Sequence, residues 1–284
     1  MGRRPIVVFT DLDGCLLDHE GYSYESARPA LERIRQLAVP LVFVTSKTRS
    51  EIVRLQAEME VREPFISENG GGVFFPAGYR GFSIRGAAKQ GGHTRILLGR
   101  AYPEIRRFVE QRKGRFGIRG AGDLSVEDLA EITGLTPEEA RLAKQREFTE
   151  PFLLADGAQL AALREEARAA GLEITRGGRF HHLIGSGQDK GEAVKRTLRI
   201  FHDNLGEELL SVGIGDRPND VPMLAAVDIP VLIPHPDGRY EDVDLPNLMK
   251  APCPGSRGWN EAVRDILERF GNGRGKPGKE KNGS

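Results

Sequence analysis

One pattern constrains this chain more than any other: four times, a short and largely apolar run stops abruptly on groups able to bind charge. Ile6-Val7-Val8-Phe9 ends on Thr10-Asp11-Leu12-Asp13-Gly14, and Leu41-Val42-Phe43-Val44 ends on Thr45-Ser46-Lys47. Phe65-Ile66 runs into Ser67-Glu68-Asn69-Gly70, and Leu209 to Ile214 runs into Gly215-Asp216-Arg217-Pro218-Asn219-Asp220. Between these runs lie helical patterns. Residues 26–37 place Ala27, Ala30, Leu31, Ile34 and Leu37 on one face with Glu32, Arg33 and Arg35 opposite, and a second helix spans about residues 50–59. Buried strands alternating with amphipathic helices predict an α/β fold with a parallel sheet. All strands of such a sheet point one way, so their polar stops gather at one carboxyl edge, where ligands bind.

A chain of 284 residues is long for one core, and the pattern changes midway. From about residue 82 to 185 glycine becomes frequent and the regular alternation is lost, so this stretch reads as an inserted domain. Residues 1–81 and 186–270 then form the core. Residues 271–284 contain no apolar side chain to bury and read as a disordered tail. The 41 basic and 41 acidic side chains cancel, which argues against nucleic acid or an anionic membrane as partner. No run has the length of a membrane span. Cys15 and Cys253 fit neither a disulfide framework nor a zinc site, as expected of a cytoplasmic protein. Composition sets no oligomeric state.

An Asp just after a strand is often only a turn residue or a helix cap. Asp11 and Asp13 are more than that, because their spacing puts both side chains on one side of an extended backbone with no Arg or Lys adjacent. Crowded carboxylates need a cation between them, and hard oxygen ligands select Mg2+. Asp216 and Asp220 add oxygen ligands at a comparable strand end. Lys190, at the start of a helix, opposes the helix dipole and needs an anion nearby.

These residues, Asp11-Leu12-Asp13-Gly14, Val44-Thr45, Lys190 and Gly215 to Asp220, resemble in order and spacing the four motifs of the haloacid dehalogenase superfamily. The resemblance implies a Rossmann-like, doubly wound core, and the position of the insertion implies a C2-type α+β cap, as in the Cof-like sugar phosphatases. It implies Asp11 as nucleophile, Asp13 as acid and base, and Thr45 and Lys190 as holders of the phosphoryl oxygens. Mg2+, with Mn2+ or Co2+ as substitutes, would be held by Asp11, the Asp13 carbonyl and Asp216, with Asp220 beside or behind them. Thr usually follows the motif glycine; Cys15 stands here, which predicts a looser turn.

Weaker stretches resemble the mannosyl-3-phosphoglycerate phosphatase family: Thr45 to Thr48, Glu68 to Gly71, Arg146 to Phe152, and Gly177 to His182. They imply substrate contacts from Ser46, Lys47, Asn69, Gly70, Glu150, Arg179 and His182, with Arg179 as a fork for a carboxylate. The expected substrate is an anionic sugar phosphate, mannosyl-3-phosphoglycerate, with glucosyl-3-phosphoglycerate or another sugar phosphate as the alternative. A phosphomutase and a non-catalytic sugar-phosphate sensor are weaker readings. Between Arg85 and Arg119 ten basic residues face only Glu104 and Glu110, a local charge of +8 that would attract such a substrate unless it is a solvated helix face.

Overall fold

The computed structural model describes residues 4–176 and 180–271; the proposed tail beyond Gly271 and Arg179 lie outside the described residues. The first half-sheet follows the sequence pattern: β1 (Ile6–Thr10), α1 (Arg28–Gln36), β2 (Leu41–Val44), α2 (Arg49–Glu58) and β3 (Phe65–Ser67). It is completed by α7 (Lys190–Leu205), β11 (Leu210–Gly215), the short α8 (Val221–Leu224), β12 (Ile229–Leu232), β13 (Met249–Lys250) and α9 (Gly255–Phe270). The strand order β13-β12-β11-β1-β2-β3 is parallel throughout, with β1 between β11 and β2.

β1 shows why this sheet is covered on both faces. Ile6 and Val8 join one apolar cluster with Ile34 of α1 and Trp259 of α9, while Val7 and Phe9 join another with Val194 and Phe201 of α7. A run with no polar alternation has no face to give to water, so helices must cover both sides.

Three further strands, β4 (Gly72–Pro76), β6 (His93–Leu97) and β5 (Ala88–Gln90), extend the sheet beyond β3, each antiparallel to its neighbour. The sheet is therefore mixed rather than parallel. The reversal comes from Glu68, Asn69 and Gly70, which have φ of 50°, 55° and 91° and fold the chain back so that Ser67 lies opposite Gly72. The sequence reading placed β5 and β6 in the insertion, from residue 82; they pair instead with the large sheet. Their frequent glycines sit in the tight connections between antiparallel strands, where the sequence suggests a change of domain.

The second sheet, β7-β8-β10-β9, is antiparallel and holds the cap: β7 (Ile118–Gly120), β8 (Glu150–Leu154), β10 (His181–Gly185) and β9 (Leu172–Arg176). Helices α3 (Tyr102–Phe116) and α6 (Leu160–Ala169) cover it through Ile105, Val109, Leu163 and Ala167, packed with Phe152 and Leu183. A small pair, α4 (Val126–Thr133) and α5 (Pro137–Ala143), forms its own cluster around Leu129 and Ala140 with Phe180.

The chain passes between the two sheets twice, yet they also meet at a third place. The buried Glu68 carboxylate accepts hydrogen bonds from Glu147 N (2.8 Å), Phe148 N (3.1 Å) and Thr149 Oγ1 (2.8 Å) of the cap. Gln188 Nε2 donates to the Glu68 carbonyl at 2.7 Å. Phe148 lies so close that a Cβ on Gly71 would stand 2.3 Å from Phe148 Cβ.

Candidate active site

Asp11 is fixed by its own strand neighbours. Its amide donates to Ile214 O on β11 at 2.9 Å, and its carbonyl accepts from Thr10 Oγ1 at 2.7 Å. That hydroxyl in turn accepts from Trp259 Nε1 at 2.9 Å, so a wholly buried ring on α9 supports the Asp11 backbone. The turn that follows is closed by backbone bonds, Cys15 N to Leu12 O and Gly14 N to Leu17 O, and does not depend on the residue-15 side chain. Gly14 has φ +83°, and a Cβ there would stand 2.7 Å from Asp216 Oδ2. Cys15 Sγ donates to Asp216 Oδ1 at 3.5 Å, and burial, followed by the charges of Asp216 and Asp11, pushes its thiol pKa up. It stays protonated, a donor to the carboxylate rather than a thiolate.

The paired acids that look unneutralised in the sequence each meet a cation from far along the chain. Lys190 Nζ lies 2.7 Å from Asp11 Oδ1 and 2.5 Å from Asp220 Oδ1, and all three side chains are buried. Lys47 Nζ pairs with Asp13 Oδ1 at 2.8 Å, and Arg217 Nε lies 3.1 Å from Asp216 Oδ2. Burial alone would lower the Lys190 pKa, but Asp11 and Asp220 more than offset this and hold it above its usual value. Burial raises Asp11 well above the carboxylate range; Lys190 opposes this, and Asp220, Asp216 and Asp13 add to it. Asp220 is raised in the same way. Three cations thus face four carboxylates, and the cluster carries excess negative charge in low dielectric.

That excess is what a divalent cation would remove. Asp11, Asp216 and Cys15 each place one donor atom within 4.8 Å of the others, and the buried Asp216 Oδ2 receives no hydrogen bond. Two carboxylates beside a protonated thiol suit a hard, oxygen-seeking ion such as Mg2+. Asp220 differs from Asp216: its Oδ1 takes Lys190 and its Oδ2 takes the amides of Asp216 and Arg217, both at 3.0 Å. Both of its oxygens are already occupied by protein donors.

A cleft of about 340 Å³ opens over this cluster, between the carboxyl edge of the core sheet and the cap. Asp11, Asp13, Ser46, Lys47 and His182 line it, as the sequence suggests, while Thr45 sits beneath with Oγ1 accepting from Lys47 N at 3.3 Å. Asn69 lies just behind, its Oδ1 accepting from Asn219 Nδ2 at 3.1 Å. Burial, helped by Arg146 and His181, pushes His182 down to about 3, so its imidazole is neutral.

Gly70 contributes space rather than a contact. With φ +91°, a Cβ there would lie 2.1 Å from Asp189 O, at the cap of the helix that begins with Lys190. Gly70→Ala is expected to destabilise the protein by about 2 kcal/mol or more and to displace Lys190. Urea unfolding checks the first effect, and loss of the Lys190 contact with Asp11 in a structure of the variant checks the second.

Glu150 is elsewhere. Its fully buried carboxylate accepts from Tyr102 Oη (2.6 Å), Arg106 Nη1 (2.8 Å) and Gly122 N (2.9 Å), all inside the cap, and it is absent from the cleft wall. The basic run is also largely self-neutralised: Arg95 pairs with Glu147, Arg106 with Asp123 and Glu150, Arg112 and Arg115 with Glu166, and Arg119 with Asp128. None of its ten basic residues lines the cleft. Sequence reasoning missed the lining residues His19, Tyr22, Arg146, Arg217 and Asn219. Arg217 and Asn219 stand within the Asp216–Asp220 motif and Arg146 within a family-like stretch, where a signal existed; His19 and Tyr22 carry none.

Residues 8–234 match the haloacid dehalogenase-like hydrolase family, and the chain belongs to that family. A Persephonella marina protein described as glucosyl-3-phosphoglycerate/mannosyl-3-phosphoglycerate phosphatase is 52% identical over 94% of this chain and 99% of its own length. A Pyrococcus horikoshii mannosyl-3-phosphoglycerate phosphatase is 34% identical over 78% of this chain and 88% of its own. Among solved structures, a haloacid dehalogenase-like hydrolase from Bacteroides thetaiotaomicron superposes with a TM-score of 0.63 at 17% identity, over 93% of this chain and all of that one. That likeness supports the fold. No helix among the described residues is long and apolar enough to cross a membrane.

Proposed function

We propose that this chain is a Mg2+-dependent phosphatase that releases phosphate from mannosyl-3-phosphoglycerate and from its glucosyl counterpart. The observation that carries the reading is Asp11, a buried carboxylate at the cleft floor held by Lys190 at 2.7 Å, in a chain 52% identical to a phosphatase described for both substrates. That double description favours activity on both sugars over the mannosyl ester alone.

Asp11 attacks phosphorus through a carboxylate oxygen, and the ester oxygen leaves with a proton from Asp13. Asp13 then takes a proton from water as that water attacks the phosphoryl group on Asp11, which frees Asp11 and inorganic phosphate. Asp13 is placed for both tasks: it lines the cleft beside Asp11, with its carboxylate paired to Lys47 at 2.8 Å. Lys190 and Thr45 hold the phosphoryl oxygens, and Asp220 holds Lys190. Asp11, Asp216 and the Asp13 carbonyl would hold a divalent cation, which would supply charge neutralisation at the phosphoryl group. We assign residues 102–185 to the cap that closes the cleft and keeps bulk water out.

Steady-state phosphate release tests this on mannosyl- and glucosyl-3-phosphoglycerate beside mannose 1-phosphate, with Mg2+ and with excess chelator. Both phosphoglycerates should be turned over at least about tenfold more efficiently than the simple hexose phosphate, and chelator should abolish release. Strongest turnover of mannose 1-phosphate would overturn the substrate assignment.

A further inference from the structure

The cleft has four cationic side chains in its wall or floor, and three of them already face carboxylates: Lys190, Lys47 and Arg217. Arg146, from the cap, does not. Its Nε donates to Ala143 O (2.9 Å), and its Nη1 donates to Ser46 O (2.7 Å) and Thr149 Oγ1 (3.4 Å). Among the described residues its guanidinium hydrogen-bonds no carboxylate. Glu68 feels its charge, but the Glu68 oxygens are taken by Glu147 N, Phe148 N and Thr149 Oγ1.

Unpartnered polar atoms also lie in or just behind the cleft. His182, only 7% exposed, lines the cleft and has no hydrogen-bond partner for Nδ1. Asn219 Oδ1 and Asn69 Nδ2 are likewise buried without partners, although the two amides are bonded to each other through their other atoms. Buried polar atoms are normally hydrogen-bonded, and these, in a cleft with a cation that bonds no carboxylate, suit a polar anion. The lining contributed by α4, α5 and Phe180 is mostly apolar, at Leu129, Leu135 and Ala143.

Building on the proposed activity, we infer that Arg146 binds the carboxylate of the phosphoglycerate, with His182 and Asn219 bonding the neighbouring oxygens. Protein acceptors take Nε and Nη1 and fix the guanidinium in place, and the Nη2 amino group, which makes no hydrogen bond within the protein among the described residues, is the charged donor left to meet a carboxylate. The phosphate lies at Asp11 and Lys190, so the two anionic ends of the substrate are bound by separate cations. Arg146 is thereby a specificity residue: it distinguishes a phosphoglycerate ester from a phosphate ester without a carboxylate.

Two small ligands isolate the effect, because 3-phosphoglycerate and glycerol 3-phosphate differ only in a carboxylate replaced by a hydroxymethyl group. Calorimetric binding to the full chain in Mg2+ should show 3-phosphoglycerate at least about tenfold tighter. In Arg146→Gln the preference should collapse by weakening 3-phosphoglycerate alone, and Arg146→Lys, which keeps a charge without the bonds that place Nη2, should fall between. Equal weakening of both ligands in either variant, or no preference in the unaltered chain, would overturn the inference. Failure of the proposed activity would show separately, as no phosphate release from either sugar-phosphoglycerate by the unaltered chain.

Discussion

Asp11→Asn is expected to lower phosphate release by a factor of about 10⁴ or more while leaving the protein folded. An amide oxygen can still accept from Lys190, so the local hydrogen bonding survives, but an amide cannot form the covalent phosphoryl bond. The effect on stability should run opposite to the effect on activity. Burial and the neighbouring acids Asp220, Asp216 and Asp13 all disfavour a charged Asp11, and Lys190 only partly compensates. Neutralising position 11 removes that repulsion, so in metal-free buffer the variant should melt at the same temperature as the parent or higher. A folded variant with parental activity would remove Asp11 from the role of nucleophile. A variant that fails to fold would show that the carboxylate is needed for structure.

Lys190→Met should have the larger structural effect. The ammonium is buried against Asp11 and Asp220, and removing one partner of a buried ion pair commonly costs about 3–5 kcal/mol, because a charge is left uncompensated. Here the loss leaves Asp11, Asp216 and Asp220 buried together, so the carboxyl pKa values rise further. An acid whose pKa is raised on folding destabilises the fold where it is ionised and not where it is protonated. The deficit relative to the parent should therefore be larger at pH 7 than at pH 5. Mg2+ should restore part of it, since an ion that binds only the folded state stabilises by mass action. Urea unfolding at the two pH values, with and without Mg2+, checks all three signs; a variant as stable as its parent at pH 7 would contradict the buried pairing.

The core strands and the acidic cluster were legible because both rest on local pattern. An apolar run without alternation dictates burial on both faces, and Asp11, Asp13, Asp216 and Asp220 stand immediately after such runs. Their cations were only partly legible: Lys190 was conspicuous as a positive charge at a helix start, whereas nothing local ties Lys47 to Asp13. The extra antiparallel strands were missed because β5 and β6 are short and rich in neighbouring glycines, and because Asn69-Gly70, a turn signal, was read only as the end of β3, while Glu68 is not a type that announces a left-handed backbone. Glu150 shows the limit of reasoning by neighbourhood. It stands four residues from Arg146 on a stretch that does reach the cleft, but strand alternation and Tyr102 and Arg106 on α3 draw its carboxylate into the cap interior.

The Glu68 contact changes how the cap is mounted. A rigid body tethered by two strands can turn about the line joining them like a door; a third fastening off that line takes away the turn. The bonds from residues 147–149 to Glu68 are such a fastening, and Phe148 seated against Gly71 and Gly72 is wedged beside it. Swinging this cap open therefore means releasing the Glu68 latch together with the neighbouring bonds of Arg146 to Ser46 O, Leu142 O to Thr48 and Glu147 to Arg49, or letting residues 142–149 stay behind with the core while the rest of the cap bends away from them.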